Sequence, residues 1–429
     1  MHVVASEQFI SSQRNSMRAI VAACIGNTLE WYDFVLYSIF AVQIAHTFFA
    51  QKNEYTALLA AFITFGAGFL ARPVGAAVFG AYADRAGRGP ALTRIVLFMA
   101  VGTLGIAFCP PTSTIGLAAP VILVTARLIQ GASAGGEFGG AIALLVESAP
   151  DSQRAFYSSF QQMSQGLALI LCGVIALVIS SVFSVAQFNA WAWRIPFLLG
   201  ATIAPVGFYI RSTISEPKLY AAQLKTEQKS SLRTILVDHW RQLLMGMGIV
   251  MLLTVGVYTL LYIPVFALTV LKIPQSNAYM GMILTGLTPL ACPLAGALAD
   301  RFSRKSVMMV ATVCMIAYAY PGFRSLMQHP TVGMLFVLQI VLGLILSFYA
   351  GPMVALLGEL FPTVVRSTGV AFSYSLTVSI FGGFTPAIVA ALAHSTGNKL
   401  AIAFWLIASA AISLLTLFTV RDHTRQKLA

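Results

Sequence analysis

Twelve long apolar runs, separated by short charged segments, constrain this chain more than any other feature of its sequence. About 20 apolar residues rising 1.5 Å each cross the ~30 Å hydrocarbon layer of a bilayer. Only 9% of the residues are charged, against about 25% in soluble domains. The pattern predicts an all-α polytopic membrane protein with twelve transmembrane helices, and excludes a cytosolic enzyme or a disulfide scaffold. The runs cover residues 19–45, 56–82, 91–109, 117–146, 155–184, 192–211, 241–270, 277–299, 306–322, 332–358, 367–393 and 399–420.

The net charge of +12 follows the membrane and does not indicate a nucleic-acid partner. With twelve spans, both termini lie on one side, and the segments on that side carry 19 of the 26 basic residues, against 5 on the other. Cytoplasmic loops are enriched in Lys and Arg. We therefore expect cytoplasmic N- and C-termini in a bacterial inner membrane.

The sequence offers no candidate for catalysis or for a bound cofactor. Its five cysteines are scattered without metal-ligand spacing, so we predict no metal site. It has no phosphate-binding Gly-x4-Gly-Lys-Ser/Thr loop and no His-Glu-x-x-His motif. These absences argue against both an enzyme and an ATP-driven pump.

An internal repeat divides the chain into halves. The turn Gly-Ala-Tyr-Ala-Asp-Arg-Ala-Gly-Arg at 80–88 recurs as Gly-Ala-Leu-Ala-Asp-Arg-Phe-Ser-Arg at 296–304, a distance of 216 residues. Glu147, followed by Arg154, recurs 212 residues later as Glu359 followed by Arg366. Six spans per half make the repeats parallel, as in one large class of transporters. The expected organisation is two pseudo-symmetric six-helix halves, 1–211 and 241–429, joined by a cytoplasmic linker at 212–240.

These turns resemble those of the major facilitator superfamily, and further motifs resemble its metabolite:proton symporters, most closely the citrate and tricarballylate carriers. The motifs lie at 27–34, 72–75, 127–131, 131–140, 193–197 and 381–387. Two positions depart from the family pattern: Ser303 replaces a glycine, and Arg88 is followed by Gly-Pro. The resemblance implies a monomeric secondary transporter, embedded in lipid, that takes up a small anionic polycarboxylate with protons by alternating access. Shikimate, 2-oxoglutarate or a compatible solute stays open as the substrate, with a non-transporting receptor as a remote alternative.

Five ionisable residues are predicted inside the membrane, where each charge needs a partner or a function. They are Glu30, Asp33, Arg72, Arg127 and Glu137. Guanidinium groups bind carboxylates bidentately, so we expect Arg72 and Arg127 to bind the substrate. The alternative is an ion pair between Arg127 and Glu30 or Asp33 that only fixes the packing.

Polar side chains on neighbouring helices complete the predicted substrate site. Asn27, Glu30, Phe34 and Tyr37 share one face of the first helix through spacings of three and four. In the resembled fold this helix lines the central cavity. Core packing is the alternative role for the tyrosines. The predicted substrate-binding residues besides the arginines are Asn27, Tyr32, Tyr37, Gln161, Gln165, Tyr258, Tyr262 and Tyr349.

Proton coupling needs a carboxylate that gains and loses its proton during transport, and burial favours the neutral form. We favour Asp33 and Glu137 over Glu30, with hydrogen bonding to the backbone as the alternative role of Glu137. The coupling ion is H⁺, and Na⁺ stays open.

The repeated charged turns predict a cytoplasmic gate, with simple topology signals as the alternative. The gate residues are Gly80, Asp84, Arg85, Arg88, Glu147, Arg154, Asp300, Arg301, Arg304, Glu359 and Arg366. Gly131, Gly135 and Gly139, spaced by four, predict a face on which another helix packs closely.

Overall fold

The computed structural model describes residues 24–49, 53–86, 88–135, 149–150, 152–202, 232–362, 365–422 and 424. All regular elements among these residues are helical, which confirms the predicted fold class. Nine helices in this part of the chain are long and apolar enough to span a membrane, and Thr93–Phe108 is a shorter apolar helix. Large apolar side chains such as Val74, Leu294 and Val310 are exposed on them, as expected for surfaces that contact lipid.

The first six membrane segments are labelled α1 to α6. α1 comprises 24–39 and Ala41–Phe48, and α2 comprises Glu54–Leu70 and Arg72–Ala86. α3 is Arg88–Phe108, α4 is Ala118–Gly135, α5 is Arg154–Val182, and α6 is described over 195–202. Short helical elements in the connections cover Thr112–Ile115, Val185–Ala190 and Ala192–Arg194.

The second six segments are α7 to α12, and two of them are interrupted. α7 is Trp240–Thr269, α9 is Arg304–Gln328, α10 is Val332–Glu359 and α12 is Ala401–Thr419. α8 runs through Gln275–Leu287, a 3₁₀ turn at Thr288–Ala291 and Cys292–Arg301, and α11 through Arg366–Thr377, a π-helical turn at Val378–Gly382 and Thr385–Thr396. The described end of the predicted linker forms the helix Leu232–Asp238.

The π-helical turn of α11 lies directly against α2. The Ser379 hydroxyl donates a hydrogen bond to the Phe69 carbonyl oxygen at 2.7 Å. A Cβ on Gly383 would lie 3.0 Å from the Cα of Gly66, so the two backbones are nearly in contact. π-Helical turns occur frequently at functional sites, and this one joins the second six helices to the helix that carries Arg72.

Glycines hold α2 and α4 close enough to bring two arginines together. A Cβ on Gly131 would lie 1.6 Å from the Gly68 carbonyl oxygen, and one on Gly135 would lie 2.0 Å from the Arg72 carbonyl oxygen. The predicted packing face of α4 therefore contacts α2 at both positions, while Gly139 lies outside the described residues.

Replacing Gly131 by alanine should destabilise the protein, because the new methyl group has no space beside the α2 backbone. Overpacking of this kind costs about 1–3 kcal/mol, occasionally more. Thermal unfolding of the purified protein measures the effect. Gly333→Ala is the matched control, since nothing lies within 4 Å of its added Cβ. Equal melting temperatures for the two variants would show that the α2–α4 contact is looser than described.

Candidate functional site

Arg72 forms a buried ion pair with Glu30 on the neighbouring helix. Its Nη2 atom lies 2.9 Å from the Glu30 Oε1 atom, and the side chains are only 2% and 4% exposed. The partner of Glu30 is therefore the arginine of α2, whereas the sequence left open a pair between Glu30 and Arg127. A paired arginine of this kind adds little net charge to the site.

Arg127 lies on α4, fully buried at 0% exposure, and forms no comparable ion pair with any other residue that the structure describes. Its Nη1 atom donates a hydrogen bond to the Gln130 Oε1 atom at 2.9 Å. Its Nε and Nη2 atoms have no hydrogen-bond partner among the described residues. A buried charge without partners is costly, and this guanidinium presents two donors that no group in the described part of the chain satisfies.

An aromatic cluster surrounds both guanidinium groups. The Phe34 ring lies between them, with its centroid 4.8 Å from the Arg72 Cζ atom and 5.1 Å from the Arg127 Cζ atom. Arg127 also lies over the rings of Tyr37 and Phe65, at 4.5 and 5.2 Å. Cation–π contacts strengthen where water is excluded. The neutral rings of this cluster thus contact both guanidinium groups.

The second six helices contribute a wall to this cluster through Tyr258 of α7. Its ring packs edge-on against Phe65 and Phe69, with centroids 5.9 and 5.3 Å apart. Its buried hydroxyl has no hydrogen-bond partner among the described residues. Tyr374 of α11, which the sequence analysis did not identify, hydrogen-bonds to the Gln165 side chain of α5. Aromatic and amide groups from both sets of helices therefore meet beside the arginines.

A small cavity lies between α5, α7, α8 and α10. Its volume is about 40 Å³, and Gln162, Gln165 and Ser347 are among its lining residues. The amide nitrogens of Gln162 and Gln165 lack hydrogen-bond partners in the described structure. A cavity of this size admits water but not a larger solute.

Several of the predicted substrate-binding groups already form hydrogen bonds within the fold. The Asn27 amide donates to the Gln161 carbonyl oxygen at 3.0 Å and to the Ser164 hydroxyl at 2.7 Å, joining α1 to α5. The Tyr32 and Tyr349 hydroxyls donate to the carbonyl oxygens of Pro196 and Ile249. The Tyr37 hydroxyl donates to the Ala61 carbonyl oxygen, and the Tyr262 ring packs against Phe62. These groups support the helix packing around the arginines. The Gln161 Oε1 atom, like the Tyr258 hydroxyl, has no partner in the described structure.

Asp33, three residues after Glu30 on α1, faces α3. Its Oδ2 atom accepts a hydrogen bond from the Thr103 hydroxyl at 2.7 Å. Its Oδ1 atom has no hydrogen-bond partner in the described part of the chain. Asp33 is therefore a buried carboxylate that a neutral hydroxyl stabilises only in part. Glu137, the other favoured coupling residue, lies outside the described residues.

A charged network joins the two sets of helices at the end of the bundle predicted to be cytoplasmic. Glu359 of α10 accepts hydrogen bonds from Arg154 of α5, at 3.2 Å, and from Arg304 of α9. The Asp300 carboxylate pairs with Arg304 at 2.9 Å. It also accepts from the backbone N–H groups of Ala155 and Phe156, at 3.1 and 2.9 Å. Asp300 thus caps the N-terminus of α5, where negative charge is favoured.

The other predicted gate residues lie around this network or outside the described part. The Arg366 Nε atom donates to the Gly358 carbonyl oxygen at 2.9 Å, and Arg301 lies over the Phe302 ring. Gly80 lies within α2. The side chains of Asp84, Arg85 and Arg88, and the whole of Glu147, lie outside the described residues.

Ser303, one of the two departures from the family pattern, connects the charged network to the segment after α12. Its hydroxyl accepts from the Ser306 backbone N–H at 3.0 Å and donates to the Asp422 carboxylate. Burial alone would raise the pKa of Asp422, but hydrogen bonds from Ser303 and Thr424 hold it below its usual value. The carboxylate therefore stays ionised at neutral pH and keeps the chain end on the α8–α9 turn.

Replacing Glu359 by glutamine should open the network, because Arg154 and Arg304 then lose the negative charge that joins them. Coupling energies of about 1–3 kcal/mol correspond to roughly 5–150-fold changes in a conformational equilibrium. Cys292 lines the small cavity between α5, α7, α8 and α10, and the accessibility of its thiol reports on the opening of this cavity. We expect maleimide to label Cys292 about tenfold faster in Glu359→Gln, with the other four cysteines replaced by serine. The exposed Glu54→Gln is the control, and equal labelling of the two variants would separate Glu359 from gating.

Known proteins share both the sequence and the fold of this chain. A family model described as "Sugar (and other) transporter" matches residues 19–236, and one described as "Major Facilitator Superfamily" matches residues 286–429. The chain is 36% identical to a citrate-proton symporter of Klebsiella pneumoniae over 92% of this chain and 90% of the relative. It is 33% identical to a shikimate transporter of Escherichia coli over 96% of each. A crystal structure of a D-xylose-proton symporter is similar in fold, with a TM-score of 0.75 and 20% identity over 97% of this chain and 100% of that one.

Proposed function

The chain belongs to the major facilitator superfamily of membrane transporters, and from that premise we propose that it takes up a small polycarboxylate by symport with protons. Citrate or a related tricarboxylate is the proposed substrate. The observation that carries the proposal is Arg127, a buried guanidinium with two donor atoms that no described group satisfies. A carboxylate accepts two parallel hydrogen bonds from such a group.

The remaining polar groups fit the other carboxylates and hydroxyls of such a substrate. Tyr258 supplies a hydroxyl donor, and Gln162 and Gln165 supply amide donors, all three unpaired in the described structure. A polycarboxylate carries several acceptors at a spacing of a few bonds. Unpaired donors on three helices, α4, α5 and α7, suit a ligand of this kind better than a ligand with one polar end.

The charges in the site support coupling between an anion and a proton. Arg72 and Glu30 neutralise each other, which leaves Arg127 and Asp33 as the remaining charged pair among the described residues at this depth. With Asp33 ionised, the four charges sum to zero. A proton on Asp33 gives the site a net charge of +1, so protonation favours binding of an anion. Release of the proton on the other side of the membrane favours release of the substrate.

Alternating access would operate by separation of the two six-helix halves, 1–211 and 241–429. The network of Asp300, Arg304, Glu359 and Arg154 would close the cytoplasmic end while the site faces outward. The positive residues on the side of the termini support a cytoplasmic location of both ends in a bacterial inner membrane. No second copy of the chain is needed to complete the site, so we propose a functional monomer.

Uptake of labelled citrate into proteoliposomes, with and without an inward proton gradient, tests this function. We expect accumulation only with the gradient, and inhibition by tricarballylate but not by betaine. A matched sodium gradient at equal pH should not drive accumulation. Absence of citrate uptake, or equal inhibition by betaine, would contradict the assignment of the substrate.

An organic acid with fewer carboxylates is the second candidate, and one observation favours it. Because Glu30 already neutralises Arg72, Arg127 is the one arginine of the two without an ion pair among the described residues, and a single carboxylate satisfies it. Shikimate, the substrate named for one relative, and 2-oxoglutarate are acids of this kind. Inhibition of citrate uptake by an excess of shikimate equal to that by tricarballylate would favour this candidate.

A further inference from the structure

Three hydrogen bonds connect Arg127, the proposed substrate-binding arginine, to the Asp33 carboxylate of α1. The Arg127 Nη1 atom donates to the Gln130 Oε1 atom at 2.9 Å. The Gln130 Nε2 atom donates to the Thr103 Oγ1 atom at 2.9 Å. The Thr103 hydroxyl donates to the Asp33 Oδ2 atom at 2.7 Å. All four side chains are buried, so water does not compete for these bonds.

We propose that Gln130 and Thr103 are positioning residues that make the orientation of Arg127 depend on whether Asp33 holds a proton. This inference rests on the proposed proton symport and explains how a carboxylate that does not bind the substrate controls the group that does. Neither residue carries a charge, and the sequence analysis identified neither as functional.

The direction of the three hydrogen bonds makes their strength depend on the charge of Asp33. Every donor points from Arg127 towards Asp33, and the last acceptor is a carboxylate. Hydrogen bonds to ionised groups are shorter and about twice as strong as those between neutral groups, and bonds in a chain polarise one another. An ionised Asp33 therefore strengthens each bond and holds the Arg127 Nη1 atom on Gln130.

Thr103 has a second acceptor, which allows it to respond to protonation. Its Oγ1 atom lies 3.0 Å from the Met99 carbonyl oxygen, one turn earlier on α3. When Asp33 gains a proton on Oδ2, that oxygen becomes a donor. The Thr103 hydrogen then turns to Met99, and the Thr103 oxygen accepts from both Asp33 and Gln130 through its two lone pairs. One proton is taken up from water, and no other group changes its protonation.

The groups around Asp33 leave Arg127 as its electrostatic partner. Within the described part of the chain, the charged or titratable groups facing it are Arg127 of α4, the Cys172 thiol of α5 and the Tyr32 phenol of α1 itself. α3 contributes the Thr103 hydroxyl, and α6 contributes backbone at Gly200. Neutralising Asp33 therefore releases Arg127 from its electrostatic partner and frees it for an anionic substrate.

Thr103→Val tests the proposal, because valine has the shape of threonine without the hydroxyl. In the wild type we expect the affinity for citrate to rise as the pH falls. In Thr103→Val this pH dependence should shrink by about 5–30-fold, which corresponds to a lost coupling of roughly 1–2 kcal/mol. Thr103→Ser should restore it. The control is Thr125→Val on the exposed face of α4, where the hydroxyl bonds only to its own helix, at the Val121 carbonyl oxygen.

A measurement without substrate separates this proposal from the proposed function. The infrared band of the protonated Asp33 carboxyl, identified by its loss in Asp33→Asn, should shift in Thr103→Val and return to its position in Thr103→Ser. An infrared band that is unchanged in Thr103→Val, or an unchanged pH dependence of citrate affinity, would overturn the positioning role of Thr103 and Gln130. Failure of the wild type to bind citrate would contradict the substrate assignment, and the infrared result would still test the positioning role of Thr103 and Gln130.

Discussion

Replacement of Arg127 by lysine should weaken citrate binding by at least about 30-fold, equivalent to roughly 2 kcal/mol or more. Lysine keeps the positive charge but loses the planar pair of donors that grips a carboxylate. It also loses the Nη1 bond to Gln130, so the ammonium has no fixed orientation. Alanine should abolish binding, since the site then carries a net charge of −1 with Asp33 ionised. Isothermal titration of the purified protein measures both effects.

Arg324→Lys is the matched control for this experiment. Arg324 is exposed near the C-terminal end of α9, over the Tyr320 ring. The same chemical change there should leave citrate affinity within about twofold. Melting temperatures of all three variants identify any that fail to fold. Wild-type affinity in a folded Arg127→Lys protein would place the substrate elsewhere.

Replacement of Asp33 by asparagine should abolish accumulation of citrate while exchange of citrate across the membrane continues. Asparagine is neutral at every pH and so resembles the protonated state, in which the site carries a net charge of +1 and binds the anion. A gradient of one pH unit stores about 1.4 kcal/mol per proton, or tenfold accumulation, all of which the variant should lose. The affinity of the variant for citrate should also lose the increase at low pH that protonation of Asp33 gives the wild type.

Asp238→Asn, at the exposed end of the helix Leu232–Asp238, controls for removal of a carboxylate and should accumulate citrate normally. Proteoliposomes loaded with citrate measure exchange, and empty ones with an imposed gradient measure accumulation. An Asp33→Asn protein that still accumulates citrate would exclude Asp33 from coupling and direct attention to Glu137.

The membrane spans were predictable because hydrophobicity and helix length determine them. Every predicted span contains described helix. The close packing face of α4 followed from glycine spacing, since only residues without a side chain permit such an approach, but the spacing did not identify α2 as the partner. The division into halves and the roles of the site residues stay predictions.

The side-chain partners were not predictable, because they depend on how each helix is rotated. In spans that are apolar on all faces, the sequence does not indicate which face meets which neighbour. The pairing of Glu30 with Arg72 and the turning of Asp33 towards Thr103 are consequences of that rotation. Gln130 had a usable signal, since it follows Arg127 by three residues on one helix face. Thr103 and Tyr374 carried none, because a single hydroxyl in an apolar run resembles an ordinary packing residue.

The central claim is that citrate and a proton cross the membrane together, and proton entry during citrate entry tests it most directly. Proteoliposomes would contain a pH-sensitive dye, with no imposed pH gradient and with the membrane potential clamped by potassium and valinomycin. The account predicts that external citrate acidifies the lumen of wild-type vesicles and of Asp238→Asn vesicles, but not of Asp33→Asn vesicles. Citrate entry into wild-type vesicles without any change in lumenal pH would contradict it.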